Sequence, residues 1–177
     1  MTTRQDEAHW RSLIRDVPDF PEPGILFRDI TPLLYDAEAL RAVNDALAEQ
    51  ARVLDAEVVA GIEARGFIFG VPLAERLRLP FVPLRKPGKL PGDAEAVSYD
   101  LEYGQATLEA HRDPSIAGRR VLVVDDVLAT GGTAAAAAQL IEALGGTVAG
   151  FAFCIELTAL GGRGRLGGRA VVALIAF

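Results

Sequence analysis

The residues best suited to chemistry lie in the stretch VLVVDDVLATGGT, Val121 to Thr133. An apolar run of the kind that forms a buried strand leads into two adjacent aspartates. The glycine- and threonine-rich turn that follows predicts the start of a helix, where unpaired N–H groups bind phosphate and glycine lets the backbone approach it closely. The predicted phosphate-binding residues are Ala129, Thr130, Gly131, Gly132 and Thr133.

Asp125 and Asp126 directly precede this turn. The neighbouring hydroxyls of a ribose donate well to carboxylates, and the same oxygens suit Mg2+, bound directly or through water. A phosphate-binding turn beside two carboxylates matches the size of a ribose 5-phosphate. Two aspartates alone could simply end a strand, but the full order of apolar strand, Asp-Asp, ATGGT and helix resembles the binding motif of type I phosphoribosyltransferases.

Three other loops contain charged residues in less specific patterns. Arg65 in GIEARGF has a guanidinium fork that suits diphosphate, and Lys86 and Lys89, the only lysines of the chain, lie together in RKPGKLPG. Glu102 is flanked by apolar residues in SYDLEYG, where a carboxylate could act on a proton or on a developing cation. On local evidence each could equally be an ordinary surface residue.

The elements that must position these residues alternate between strand and helix after residue 56. The patterns predict strands over residues 57–60, 81–84, 106–110, 121–124, 148–157 and 171–177, and helices over 67–78 and 133–144. This alternation indicates an α/β fold with a parallel sheet. Ligands bind beyond the carboxyl ends of parallel strands, so the turns after Ala60, Leu84 and Val124 should face a common site.

The N-terminal third of the chain is predicted to be less regular. A helix is predicted over residues 6–16, and a second helix, capped by Asp36, should continue to about Leu54. Between them, four prolines in the segment VPDFPEPGILFRDITPLL exclude a helix or a central strand. Residues 87–104 are too weakly periodic to predict a definite element.

Composition limits the class of protein. A chain of 177 residues is predicted to form one domain, and its net charge of −6 argues against a nucleic-acid-binding protein. Neither a membrane-spanning run nor a signal peptide is recognisable, and Cys154 has no partner for an internal disulfide, so a cytoplasmic location is expected. The GxGxxG match from Gly162 to Gly167 lies too near the end of the sequence for a dinucleotide fingerprint, and no P-loop motif occurs.

Six segments, taken together, resemble the adenine phosphoribosyltransferase family from Phe20 to about Gly162. They are, in order, VPDFPEPGILFRDITPLL, GIEARGFIFG, RKPGKLPG, SYDLEYG, VVDDVLATGGT and IELTALGG. The resemblance implies a single domain over residues 1–177 with a type I phosphoribosyltransferase-like parallel sheet flanked by helices. It also implies a small N-terminal hood and base-binding segment over about residues 1–35, a flexible catalytic flap over about 87–104, and a homodimer.

The activity implied by the resemblance is transfer of the 5-phosphoribosyl group from 5-phosphoribosyl 1-pyrophosphate to adenine. The products are AMP and pyrophosphate, and the reaction needs Mg2+ and inverts C1′. The implied site residues are Leu26, Phe27, Arg28 and Leu157 for adenine, Glu102 and Arg65 for catalysis, Arg65, Lys86 and Lys89 for pyrophosphate, and Asp125 and Asp126 for ribose. Mg2+ would be held mainly through the sugar donor, with the two aspartates as direct or water-mediated ligands.

Two alternatives compete with this interpretation. A phosphoribosyltransferase for hypoxanthine or guanine would share the phosphate turn, but the N-terminal segment resembles the adenine-specific members. A non-catalytic regulator that binds the sugar donor and a nucleic acid or protein would need a basic surface and no flap carboxylate. The pI of about 5.0 and the presence of Glu102, Lys86 and Lys89 argue against it. His9 and His111 have no predicted role, and Cys154 is expected in the core.

Overall fold

The computed structural model describes residues 4–100, 105–112 and 115–177. In chain order, its helices are α1 (Arg4–Ser12), α2 (Thr31–Tyr35), α3 (Ala37–Ala51), α4 (Gly66–Leu77) and α5 (Gly132–Ala143). The strands are β1 (Arg15–Pro18), β2 (Leu26–Asp29), β3 (Val58–Ile62), β4 (Phe81–Leu84), β5 (Ala94–Asp100), β6 (Gln105–His111), β7 (Arg120–Leu128), β8 (Thr147–Glu156) and β9 (Val171–Ala176). Three short 3-10 helices lie between these elements, at Arg52–Leu54, Thr158–Leu160 and Gly162–Leu166.

A five-stranded sheet in the order β4-β3-β7-β8-β9 forms the centre of the fold, and all of its pairings are parallel. Successive side chains of a strand point to opposite faces, and both faces of this sheet are covered. Leu122 and Val124 of β7 pack with residues of α3 and α4, whereas Val121 and Val123 pack with residues of α5. The structure therefore confirms the predicted α/β fold.

Two antiparallel hairpins flank this sheet. β1 pairs with β2, and β5 pairs with β6. Asp36 caps α3 as predicted, because its carboxylate accepts hydrogen bonds from the backbone N–H groups of Glu38 and Ala39. Cys154 is buried in the core, also as predicted.

Two predictions about the less regular segments were wrong, and one strand was not predicted. The first helix ends at Ser12 instead of continuing to residue 16, because Arg15–Pro18 pairs with β2. The proline-rich segment includes the short helix α2, since Pro32 lies in its first turn, where a missing N–H costs no helical hydrogen bond. Residues 94–100 form a strand because they pair along their whole length with β6.

Within the described ranges, no helix combines the length and the apolar character needed to cross a bilayer.

Candidate active site

β7 continues past the predicted boundary and includes both aspartates. Its pairing with β8 extends as far as Leu128 opposite Glu156, so Asp125 and Asp126 lie within the last part of the strand. Asp126 is 2 % exposed, whereas Asp125 is half-buried and lines a cavity. The two neighbouring carboxylates therefore lie at the carboxyl end of the central strand.

Burial dominates the electrostatics of the aspartates. It raises the pKa of Asp125 well above its ordinary value, and the neighbouring Asp126 carboxylate raises it further. Burial also raises the pKa of Asp126, which the Arg65 guanidinium opposes. The Nε of Arg65 lies 2.8 Å from Oδ2 of Asp126, in an ion pair that lacks hydrogen-bond geometry. The backbone N–H of Asp126 donates to Oδ1 of Asp125 over 2.9 Å.

A glycine allows the loop after β3 to lie against β7. A Cβ built on Gly66, the first residue of α4, would lie 2.6 Å from the carbonyl oxygen of Val124 and 3.2 Å from Oδ1 of Asp125. A side chain would therefore separate the start of α4 from the aspartates. The peptide between Glu63 and Ala64 in this loop is cis. Close packing at Gly66 is what brings Arg65 to Asp126.

The phosphate turn joins β7 to α5. Gly131 is the N-cap of α5 and has a φ of +81°, which favours glycine over other residues. Because a glycine N-cap has no side-chain acceptor, the first N–H groups of the helix are not capped by it. These N–H groups can therefore donate hydrogen bonds to a bound anion. The structure thus has the predicted glycine-rich turn between β7 and the start of a helix.

One cavity of about 750 Å³ connects these elements. Among the residues predicted for the site, it is lined by Leu26, Phe27, Arg28, Arg65, Asp125, Asp126, Ala129, Thr130, Gly131, Gly132, Thr133 and Leu157. The sequence did not predict that Gly24, Ile25, Phe153, Ala159, Leu160 and Phe177 also line it. Gly24, Ile25, Ala159 and Leu160 lie close in sequence to predicted residues, which was a usable signal, whereas Phe153 and Phe177 reach the cavity only through the path of the chain.

Phe27 of β2 contributes an aromatic ring to the wall of the cavity. The ring of Phe27 meets Phe20 edge-to-face at a centroid distance of 5.2 Å, and the guanidinium carbon of Arg65 lies 5.5 Å from the centroid of Phe27. Arg28 forms an ion pair with Asp16 and stacks on Phe177 at 4.2 Å. The side chain of Arg28 is therefore engaged within the protein.

The two predicted lysines do not line this cavity. Lys86 lines a neighbouring cavity of about 350 Å³, which shares Thr133 with the first. Tyr99, also in its lining, donates a hydrogen bond from its hydroxyl to Oγ1 of Thr133 over 3.4 Å. Lys89 is exposed and lines neither of the two cavities. Glu102 lies outside the described residues.

Glu63 joins the loop after β3 to the loop that contains the lysines. Its Oε2 accepts hydrogen bonds from Nε of Arg85 at 2.9 Å and from the backbone N–H of Lys86 at 2.8 Å. The hydrogen bond from Arg85 is the largest cause of a lowered pKa for Glu63. No role was predicted for Glu63, although its place two residues before Arg65 was a usable signal.

Comparison with known proteins assigns this chain to a family. The family model described as Phosphoribosyl transferase domain matches residues 34–164. An adenine phosphoribosyltransferase from Gloeobacter violaceus is 60% identical over 168 residues, which cover 94% of this chain and 98% of the relative.

Solved structures agree with the sequence comparison. The adenine phosphoribosyltransferase from Thermoanaerobacter pseudethanolicus has a TM-score of 0.93 at 49% identity, covering 96% of this chain and 99% of that one. The enzyme from Saccharomyces cerevisiae, in complex with adenine and an imino-altritol bisphosphate, has a TM-score of 0.90 at 36% identity, covering 98% and 100%. Because the similarity extends over almost the full length of each pair of chains, this chain belongs to the adenine phosphoribosyltransferase family.

Proposed function

We propose that this chain transfers the 5-phosphoribosyl group of 5-phosphoribosyl 1-pyrophosphate to adenine and forms AMP and pyrophosphate. The observation that supports this most directly is the single cavity that extends from Phe27 and Leu157 past the aspartates to the phosphate turn. An apolar end, two carboxylates and a helix start are the features needed for a base, a ribose and a phosphate, in that order.

The donor's 5-phosphate is assigned to the turn formed by Ala129, Thr130, Gly131, Gly132 and Thr133. Backbone N–H groups at the start of α5 and the threonine hydroxyls would donate to its oxygens. Asp125 and Asp126 would accept from the 2′- and 3′-hydroxyls of the ribose. All of these residues line the same cavity, which supports the assignment.

The adenine ring is assigned to the space between Phe27 and Leu157. Backbone groups of Leu26 and Arg28 would read the edge of the base, since carbonyl oxygens can accept from its 6-amino group. The guanidinium of Arg28 is occupied by Asp16 and Phe177, which leaves the backbone of this residue to act on the base.

The pyrophosphate group is assigned to Arg65, Lys86 and Lys89. Breaking the bond between C1′ and the pyrophosphate oxygen builds positive charge on the sugar and negative charge on the leaving group. Cationic side chains at this position would stabilise the departing pyrophosphate. The base attacks from the opposite face, so C1′ is inverted. Glu102 would manage the proton of the purine while the flap over about residues 87–104 excludes water.

The aspartates fit a Mg2+ ion that is held mainly by the sugar donor. Among the described residues, no group of three or more His, Cys, Asp or Glu side chains could hold a metal, and Mg2+ is often bound by one or two carboxylates together with substrate phosphates. Oδ2 of Asp126 forms an ion pair with Arg65 but accepts no hydrogen bond, so it keeps a lone pair that a ligand could use. Asp125 and Asp126 would be direct or water-mediated ligands, and the bound ion would neutralise charge on the diphosphate.

We propose that residues 1–177 form one domain, in which about residues 1–35 form a hood over the base. The β1–β2 hairpin contains Leu26, Phe27 and Arg28, which supports a role for this segment in covering the base. A homodimer in the cytoplasm is proposed from the family alone, and light scattering on the purified protein would test the dimer.

One assay tests the reaction and the base together. Purified protein is mixed with Mg2+, the sugar donor and either adenine, hypoxanthine or guanine, and nucleotides are separated by chromatography. We expect AMP from adenine and little nucleotide from the other bases. Comparable IMP or GMP would overturn the choice of base. If no base yields nucleotide, the non-catalytic regulator becomes the better interpretation.

A further inference from the structure

The glycine-rich segment after β8 packs against the backbone of the phosphate turn. Its sequence from Gly162 to Gly167 spells GxGxxG, and it forms the 3-10 helix Gly162–Leu166. The residues from Gly161 to Gly167 do not line the large cavity, so the segment has no direct part in the proposed site. Gly162 is nevertheless buried, whereas Gly164 in the same turn is exposed.

Gly162 is in direct contact with the backbone of the phosphate turn. A Cβ built on Gly162 would collide with the carbonyl oxygen of Ala129, and it would lie 2.9 Å from Cδ1 of Leu128 and 3.1 Å from the backbone nitrogen of Gly131. A Cβ built on Gly131 would in turn collide with the carbonyl oxygen of Gly162. The two backbones therefore pack against each other with no space for a side chain between them.

The same segment also contributes to the wall of the cavity near Leu157. It leaves β8 at Glu156, and Leu157, Ala159 and Leu160 line the cavity before Gly162 reaches the phosphate turn. The backbone N–H of Leu157 donates to the carbonyl oxygen of Leu128 over 2.9 Å. One short stretch of chain thus contacts both the proposed base subsite and the proposed phosphate subsite.

Hydrogen bonds hold this stretch at both ends. Arg163 donates from two nitrogens to the two carboxylate oxygens of Glu156, at 2.7 and 2.6 Å, and the Glu156 side chain is only 9 % exposed. Thr158 donates from its backbone N–H and its hydroxyl to the carbonyl oxygen of Phe177, at 2.8 and 2.6 Å. Paired groups of this kind resist displacement, so the stretch can act as a fixed support.

We propose that Gly162 is a positioning residue that holds the phosphate turn at a set distance from the base subsite. It touches no substrate itself, and it acts through the backbone of Ala129 and Gly131. The inference rests on the proposed function, because it assumes that the turn binds the phosphate of the donor and of AMP. Hydrogen bonds from the turn weaken steeply with distance and angle, so a small displacement of its backbone is enough to lose affinity.

A matched pair of substitutions tests this role. Gly162→Ala adds a methyl group against the turn, whereas a Cβ on Gly164 meets nothing within 4 Å, and neither glycine has a positive φ that would strain an alanine. The kinetics of both variants are measured with donor and adenine varied separately, and AMP affinity is measured by calorimetry. Thermal unfolding of each variant is recorded alongside.

A local effect on phosphate binding is expected. Gly162→Ala should raise the KM for the donor and the Kd for AMP by about tenfold, the equivalent of one weakened charge-assisted hydrogen bond. The KM for adenine at saturating donor should stay within about twofold of the wild-type value, since the added methyl group meets Leu128, Ala129 and Gly131 and none of the residues assigned to the base. Gly164→Ala should match the wild type. Wild-type donor KM and AMP affinity in Gly162→Ala, or equal losses for donor and adenine, would overturn the proposal.

A second variant covers the case in which Gly162→Ala does not fold. Arg163→Gln releases the stretch from Glu156 without adding atoms to the turn, and it should show the same selective rise in donor KM. An unchanged donor KM in Arg163→Gln would also overturn the proposal. Failure of the proposed function is distinguishable, because the wild-type protein itself would then form no AMP from donor and adenine.

Discussion

Arg65 both compensates the charge of the buried Asp126 carboxylate and stays accessible to a ligand in the cavity. Asp126 is 2 % exposed, so its charge has little contact with water and depends on the guanidinium for compensation. The Arg65 side chain is 49% exposed and lines the cavity, so it also remains accessible to an anionic ligand. We infer that Asp126 orients Arg65 before the pyrophosphate group arrives.

The proposed acid–base role of Glu102 is tested at the scale of a single residue. Glu102→Gln keeps the shape of the side chain but cannot exchange a proton, so kcat should fall by about 10²–10⁴-fold while both KM values stay near the wild type. Steady-state kinetics with adenine and donor varied in turn measure this. Glu95→Gln is the matched control, because Glu95 lies on β5 and its carboxylate forms an ion pair with Arg112. A kcat near the wild-type value in Glu102→Gln would remove Glu102 from the mechanism.

At the scale of elements, the two loops proposed to bind pyrophosphate are coupled by Glu63. Glu63→Gln removes the charge that Arg85 and the backbone N–H of Lys86 share. We expect the donor KM to rise by about three- to tenfold, the cost of weakening one charged hydrogen bond, with adenine KM unchanged. Glu142→Gln, which breaks a surface pair with Arg169, serves as the control. Equal donor KM values in both variants would show that the coupling has no effect on binding.

Asp29 fixes the end of the β1–β2 hairpin. Its carboxylate accepts from the hydroxyl and the backbone N–H of Thr31 and from Arg15, and the Thr31 hydroxyl is the largest cause that lowers the pKa of Asp29 to about 2. Folding lowers the pKa of Asp29 from its ordinary value of 3.8. Ionised Asp29 therefore stabilises the folded protein fully above about pH 3.8, and this stabilisation is lost as the pH falls toward 2.

The corresponding test is urea unfolding of Asp29→Asn. At neutral pH the variant should lose about 1 kcal/mol of unfolding free energy, and the difference should shrink as the pH falls from 3.8 toward about 2. Asp55→Asn is the control, since the Asp55 side chain is 95% exposed. A loss that is independent of pH would mean that the charge of Asp29 is not what stabilises the hairpin.

The sequence predicted best those elements that their own residues determine. β4 has the predicted bounds, and α3 begins at the predicted cap, because short-range pattern and capping suffice for both. β1 and β5 were missed, since their residues show no clear apolar pattern and the strands are recognisable only from their pairing with β2 and β6. The same holds for the site: the phosphate turn is local in sequence, whereas Phe177 reaches the cavity only because β9 lies beside β8.

At the scale of the whole molecule, the cavity is built from distant parts of the chain. Residues of the β1–β2 hairpin, of β7 and α5, and of the end of β9 all contribute to its wall. Arg11 and Arg28 both lie over the ring of Phe177, at 4.5 and 4.2 Å from its centroid. A ligand in the cavity therefore contacts segments that must all be folded at once, and its binding should stabilise the entire protein.

AMP is accordingly expected to raise the melting temperature. At a concentration of about 100 times its Kd, a ligand that binds only the folded state adds about 2.7 kcal/mol, or roughly 5–10 °C for a chain of this length. Differential scanning calorimetry measures the shift. Adenosine at the same concentration should give a much smaller shift, because it lacks the group that the turn binds. Equal shifts for AMP and adenosine would contradict the assigned phosphate subsite.

The stacking of Arg11 and Arg28 on Phe177 also has a consequence for biosynthesis. A ribosome adds about 5–20 residues per second, so the ring of Phe177 is made roughly 10–30 s after Arg11. Trp10 packs in the same cluster as Leu174 and Ile175, so its packing is completed only after these two residues have been synthesised. Nascent chains arrested before Val171 should therefore be cleaved by protease within their first 35 residues, whereas full-length chains resist. The segment translated first can therefore complete these contacts only after the C-terminal residues have been made.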